Sequence, residues 1–158
     1  MDDLTLDKAL EIIAHARKHK RQLTKKAVAY AIVDAGGNTL ALAREEKAGF
    51  LRAQLALNKA WGCFALGFPS RTLRDQVKGW ELWFAGINGA AGGRLMPVLG
   101  GVMIRTKSGK PIGAMGVAGA AGIEDEELAS VGIAKAGFKP DVGGETPGTD
   151  AAKRRRSQ

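Results

Sequence analysis

Two short turns constrain this chain more than any other feature. Asp34-Ala35-Gly36-Gly37-Asn38 and Lys107-Ser108-Gly109 each stand between two apolar, β-prone runs. Residues 27–34 and 39–44 flank the first; residues 98–105 and 110–118 flank the second. Glycine reaches positive φ without steric cost, and Asp and Asn bond their own backbone, so both turns predict β-hairpins. A hairpin makes its two strands antiparallel, which argues against a doubly wound parallel sheet.

Helical signals surround these ribbons. Over residues 4–22, Leu6, Leu10 and Ile13, with Ala9 and Ala16, recur at helical spacing and predict an amphipathic helix. Thr5 is placed to cap it. Residues 48–66 predict a second helix, with Phe50, Leu57, Trp61 and Phe64 on one face and Arg52 and Lys59 on the opposite side. Gly67-Phe68-Pro69-Ser70 stops it, and Ser70 is placed to cap a short helix containing Leu73 and Val77. Residues 79–93, rich in Gly, Ala and Trp, carry no decisive period. A last helix over residues 124–137 opens with Glu124, Asp125, Glu126 and Glu127, a run of acids suited to the positive end of a helix dipole.

The expected fold is α+β: an antiparallel sheet with helices gathered on it, in one domain over residues 1–140. Beyond it, residues 141–158 form a basic, Gly/Pro-containing tail expected to be mostly disordered, with some order near Val142. Apolar residues make up 45% of the 158-residue chain and aromatics only 6%, against 22 glycines, so close backbone approach should replace bulky packing. The single cysteine, Cys63, excludes an intrachain disulfide and reads as a packed thiol. The acidic start and the lack of any apolar run of ~18 residues predict a cytoplasmic protein without membrane segments. Net charge is +8, concentrated in Arg17–Lys26 and Lys153–Arg156. No aromatics interleave with these cations, so nucleic acid is not the expected partner.

Several stretches, taken in order, resemble the GlcG-like haem-binding-protein family, which also includes the C-terminal domain of propanediol-utilisation adenosyltransferases. Ala31-Ile32-Val33-Asp34-Ala35-Gly36-Gly37 resembles its VVDAGG turn. Ala43-Arg44-Glu45, Asn58-Lys59-Ala60, Gly100-Gly101-Val102-Met103-Ile104 and Ile112-Gly113-Ala114-Met115-Gly116-Val117 resemble further motifs, and Asp125-Glu126-Glu127-Leu128-Ala129 the acidic start of the last helix. The resemblance spans residues 4–138. It implies a profilin-like fold with a central antiparallel sheet of about five strands, a homo-oligomer, and in some members haem or corrinoid binding. Two stretches depart from the pattern: Gly116–Gly122 lacks the usual serine, and Trp80-Glu81-Leu82-Trp83-Phe84 has no counterpart.

The residues offer three sets of site candidates. His15 and His19 lie one helical turn apart, and imidazole is a common axial ligand of haem iron. With the resemblance this nominates His15 as the metal ligand; the alternative is two solvated histidines. Arg44, Lys59 and Arg94 can pair with carboxylates, either haem propionates or a small acid. Asp34 and Glu126 are acid–base candidates. Three functional readings follow: a haem- or tetrapyrrole-binding oligomer; a catabolic enzyme for a small carboxylic acid, using Asp34, Arg44, Lys59 and Glu126 in a polar pocket; and a structural or regulatory oligomer without a ligand. Glycines at 113, 116, 119 and 122 lack the context of a dinucleotide loop and point to tight packing.

Overall fold

A computed structural model of the chain describes residues 3–143. The elements run α1 (Leu6–Leu23), β1 (Ala29–Asp34), β2 (Thr39–Arg44), α2 (Leu51–Leu66), α3 (Ser70–Val77), α4 (Glu81–Ala90), β3 (Gly101–Arg105), β4 (Pro111–Ala118), α5 (Gly122–Lys135) and β5 (Lys139–Asp141). Both predicted hairpins form, and every strand pair is antiparallel in a five-stranded sheet of order β2-β1-β4-β3-β5. This is the α+β fold expected, a central antiparallel sheet flanked by helices. The tail expected over 141–158 lies, from residue 144 onward, outside the described residues.

The sheet is covered on both faces, and side-chain size alternates accordingly. Tyr30 and Ile32 of β1, Val102 and Ile104 of β3, and Met115 and Val117 of β4 meet Ile12, Ile13 and Ala16 of α1 and Leu128 and Ile133 of α5 in the main core. The opposite face carries Ala29, Ala31 and Val33, Met103, and Ala114 and Ala118, packed under α2. Period two along each strand thus sorts large residues to one face and mostly small ones to the other.

This small-residue floor decides how α2 lies. A methyl added at Gly116 would overlap the Ala56 carbonyl oxygen and come within 2.8 Å of the Ala60 nitrogen. At Gly101 it would stand 2.6 Å from the Lys59 carbonyl oxygen and 2.7 Å from Cys63 Sγ. Helix backbone therefore rests directly on strand backbone, and only small side chains fit between. The apolar face expected for α2 holds only in part: Leu57 and Phe64 pack against the core but stay partly exposed. The fully buried residues are Ala56, Lys59, Ala60, Gly62 and Cys63, while Phe50 precedes the helix and is 90% exposed.

One cap is corrected: Pro69, not Ser70, is the N-cap of α3, and Ser70 Oγ instead accepts from the Gly101 N–H at 2.8 Å. Within the stretch left unassigned, residues 81–90 form a helix, α4, that buries none of its side chains. The fifth strand of the expected sheet is β5, a three-residue edge strand against β3. On α1 the inward residues are Ala9, Ile12, Ile13 and Ala16, whereas Leu6 and Leu10 stay 51% exposed. Thr5 does cap this helix, its hydroxyl accepting from the Lys8 N–H at 3.2 Å.

The floor can be tested directly. Gly116→Val should destabilise the fold by roughly 3 kcal/mol or more, because neither backbone can retreat. Gly49→Ala, with nothing within 4 Å of the added methyl, should stay within about 0.5 kcal/mol of the parent. Urea denaturation of both variants measures the difference.

Candidate functional site

The four acids that open α5 turn out to have four separate partners. Glu124 accepts from the Ala121 N–H at 2.9 Å and so caps its own helix. Asp125 meets Lys59 of α2 at 3.1 Å. Glu126 makes a two-point pair with Arg71 of α3, through both Nε and Nη2. Glu127 meets His19 of α1 at 2.8 Å. One helical turn thereby ties α1, α2 and α3 to α5.

The Asp125 pair lies inside the molecule. Lys59 is 6% exposed, and its ammonium also donates to the Val117 carbonyl at 2.8 Å. Asp125 Oδ1 accepts from the Ala120 N–H at 3.0 Å. Gly100, at φ 118°, leaves the room: a methyl there would lie 2.8 Å from Lys59 Nζ. Burial works against both charges, lowering the Lys59 pKa and raising that of Asp125, and their mutual attraction offsets this only in part. Lys59 is thus not on a polar outer face of α2. It is a clasp between layers, committed to partners in its own chain.

The remaining candidates are dispersed. Asp34 Oδ1 accepts from the N–H groups of Gly36 (2.8 Å) and Asn38 (2.9 Å) at the β1–β2 turn. Its slight burial raises the pKa, but these bonds, led by that of Asn38, outweigh it and hold the carboxyl below its usual range. Arg44 Nη1 donates to the carbonyls of Glu45, Glu46 and Ala48, bracing the loop after β2. Arg94 stacks on Trp61, 3.6 Å from the ring centroid, and its Nε donates to the Ala91 carbonyl. Glu126 is buried against Arg71. Asp34, Arg44, Lys59 and Glu126 thus sit on different elements, each engaged by partners of its own chain.

His15 and His19 are brought together with more. They line an open groove of about 260 Å3 between α1 and α5, with Lys18, Gln22, Val131 and Lys135. Glu127 holds His19, while His15 Nε2 stands 3.7 Å from Glu11 Oε1, beyond a normal hydrogen bond. His15 is therefore the less committed imidazole. The helical period of α1 already sets the two histidines side by side; nothing local in the sequence announces Val131 and Lys135, which α5 supplies across the core.

Cys63 is sealed beneath α2, its Sγ 3.1 Å from the Lys59 carbonyl. Burial pushes the thiol up to about 12. Among the described residues no group of three or more His, Cys, Asp or Glu side chains is placed to hold a metal ion, and no helix is long and apolar enough to cross a membrane.

An antiparallel sheet clasped between helical layers makes the chain a small α+β protein. More particularly, residues 4–134 match the family model described as haem degrading protein HbpS-like, and the chain belongs to that family. Solved structures agree. The chain is similar to PduOC in its complex with haem (TM-score 0.77, 26% identity, 86% of this chain and 96% of that one). It is similar to the ORFY protein of Klebsiella pneumoniae (TM-score 0.77, 27% identity, 86% and 92%). It is also similar to a double mutant of HbpS from Streptomyces reticuli (TM-score 0.71, 27% identity, 85% and 88%). A search of curated proteins found no match.

Two outcomes are expected here. Lys59→Met should cost roughly 3–5 kcal/mol by leaving Asp125 buried and unpaired, whereas Lys59→Met with Asp125→Leu should recover most of that loss. Thermal melts of the three proteins separate these cases. Cys63 should react with a thiol-specific dye only after denaturant is added, as stopped-flow absorbance at mildly alkaline pH will record.

Proposed function

We propose that this chain binds haem in the α1–α5 groove, with His15 as an axial ligand. The observation that carries the reading is the imidazole of His15, held only by a 3.7 Å contact to Glu11, in a groove flanked by the amines of Lys18 and Lys135. Membership of the HbpS-like family and similarity to a haem complex support the choice of ligand.

The donor set fits haem in kind. A neutral imidazole nitrogen suits the iron, and ammonium groups suit propionates. When bound, haem supplies the iron centre and any redox chemistry; the chain supplies orientation. Glu127 positions His19, and Glu11 lies close enough to steer the His15 ring. In size the groove is smaller than pockets that enclose a ligand, which run about 300–1,000 Å3. One chain therefore offers one wall, and this reading carries with it a homo-oligomer in which another copy completes the site. Arg44 and Arg94 lie elsewhere and take no part in it; Lys59 acts inside the fold. No feature of the groove calls for a corrinoid.

Haem titrated into the purified protein should give a red-shifted Soret band with saturable binding. His15→Ala should remove the shift or weaken binding by roughly tenfold or more, a loss typical of a ligating group or its close support. His19→Ala should weaken binding less. An unchanged Soret band in His15→Ala would overturn the assignment.

A further inference from the structure

The stretch Trp80-Glu81-Leu82-Trp83-Phe84 takes no part in the core or in the α1–α5 groove. It leads into α4, the helix that buries none of its side chains. Trp80 is 65% exposed and Trp83 36%. A tight turn sets both rings. Lys78 has φ −61° and ψ 114°, Gly79 has φ 79°, and the Trp80 N–H donates to the Val77 carbonyl at 2.9 Å. That is a type II turn, whose third position calls for positive φ and so for glycine. Glu81 Oε1 closes it by accepting from the Gly79 N–H at 3.1 Å.

The turn folds the start of α4 back beside the end of α3. Trp80 and Trp83 meet edge to face, their centroids 6.5 Å apart and their planes at 89°. With Asp75, Gln76 and Lys78 they wall an open pocket of about 480 Å3. That volume falls within the range of small-ligand pockets, about 300–1,000 Å3. No residue of the α1–α5 groove lines it. Two acids stand near, and both are engaged within the chain: Asp75 by Arg74, and Glu81 by the Gly79 N–H. Among the described residues the Lys78 ammonium has no ion pair. The uncommitted groups of the pocket are thus two indoles, one ammonium and the Gln76 amide.

We propose that this pocket is a second ligand site and takes a small, flat aromatic carboxylate. The ring of the ligand stacks on one indole and meets the other edge to face. Its carboxylate pairs with the Lys78 ammonium, and Gln76 offers an amide N–H on the same wall. One uncommitted cation matches one negative charge. An organic cation fits less well. Indole faces attract cations, but the nearby acids are already engaged and Lys78 repels the newcomer. A purely apolar partner would cover the rings and leave the ammonium without a counter-charge, which is costly. The pocket holds no imidazole, and the inference does not rest on haem binding. Because the Trp80–Phe84 stretch departs from the family pattern, the site belongs to this chain rather than to the fold.

Nuclear magnetic resonance of the haem-free, isotope-labelled full chain tests it, so its outcome is read apart from the Soret titration. Each tryptophan gives one indole N–H signal, and Trp61, stacked with Arg94 outside the pocket, is the internal control. Titrated naphthoate should shift the Trp80 and Trp83 signals saturably, with a Kd of about 1 mM or tighter, and leave that of Trp61 in place. Trp80→Ala, read from the Trp83 signal, should weaken binding by roughly fivefold or more. Lys78→Gln should weaken naphthoate by roughly threefold or more, yet leave uncharged naphthalenemethanol within about twofold of the parent. Both positions are exposed, so the melting temperature should not move. Shifts that never saturate, tighter binding of benzyltrimethylammonium, or full naphthoate affinity in Lys78→Gln would each overturn the proposal. So would movement of the same two signals when the ligand-free protein is diluted, which would place another chain in the pocket.

Discussion

The buried contact between Lys59 and Asp125 is the point on which the rest of the structure turns. One residue belongs to the helix beneath the sheet and the other to a helix above it. They meet past the ends of β3 and β4, where Gly100 leaves a gap in the floor. Two charges removed from water repay that cost only with good geometry and no polar atom left over. Here the Val117 carbonyl and the Ala120 N–H complete the set, and no buried side-chain polar atom among the described residues lacks a partner. The clasp therefore specifies more than it stabilises: it selects the arrangement of layers in which both charges are met.

The acids of α5 extend the same logic outward. From a composition standpoint they are one run suited to a helix dipole. In three dimensions successive residues of a helix point about 100° apart, so the run fans out to its own cap, to α2, to α3 and to α1. The last of these sets His19 in place and thereby shapes the groove beside His15. The internal clasp and the proposed ligand groove are thus consecutive products of one turn.

Much of the fold could be read from the chain because its strongest signals are local. The two Gly-containing turns and the β-prone runs around them produce the hairpins, and β2 begins and ends where its sequence places it. What escaped was relational. The aromatic face assigned to α2 assumed that large residues point inward. Ala29, Ala31, Gly101, Gly116 and Ala118 draw the helix so close that Leu57 and Phe64 are only partly buried, and that is visible only once the strands are side by side. Lys59 looked like a surface cation because its partner lies 66 residues away. β5, with a proline in three residues, carries no strand signal. Of the site, the histidine pair was legible from helical spacing. The dispersal of Arg44, Lys59 and Arg94 was not, because charge says nothing about which loop or layer will claim it.

The solitary thiol of Cys63 lies buried under α2 against the strand that begins at Gly101. Sulfur–sulfur bonding between chains would require the helix to lift first. Mild oxidants consequently leave this thiol untouched while α2 stays in place, and no covalent tie between copies forms through it.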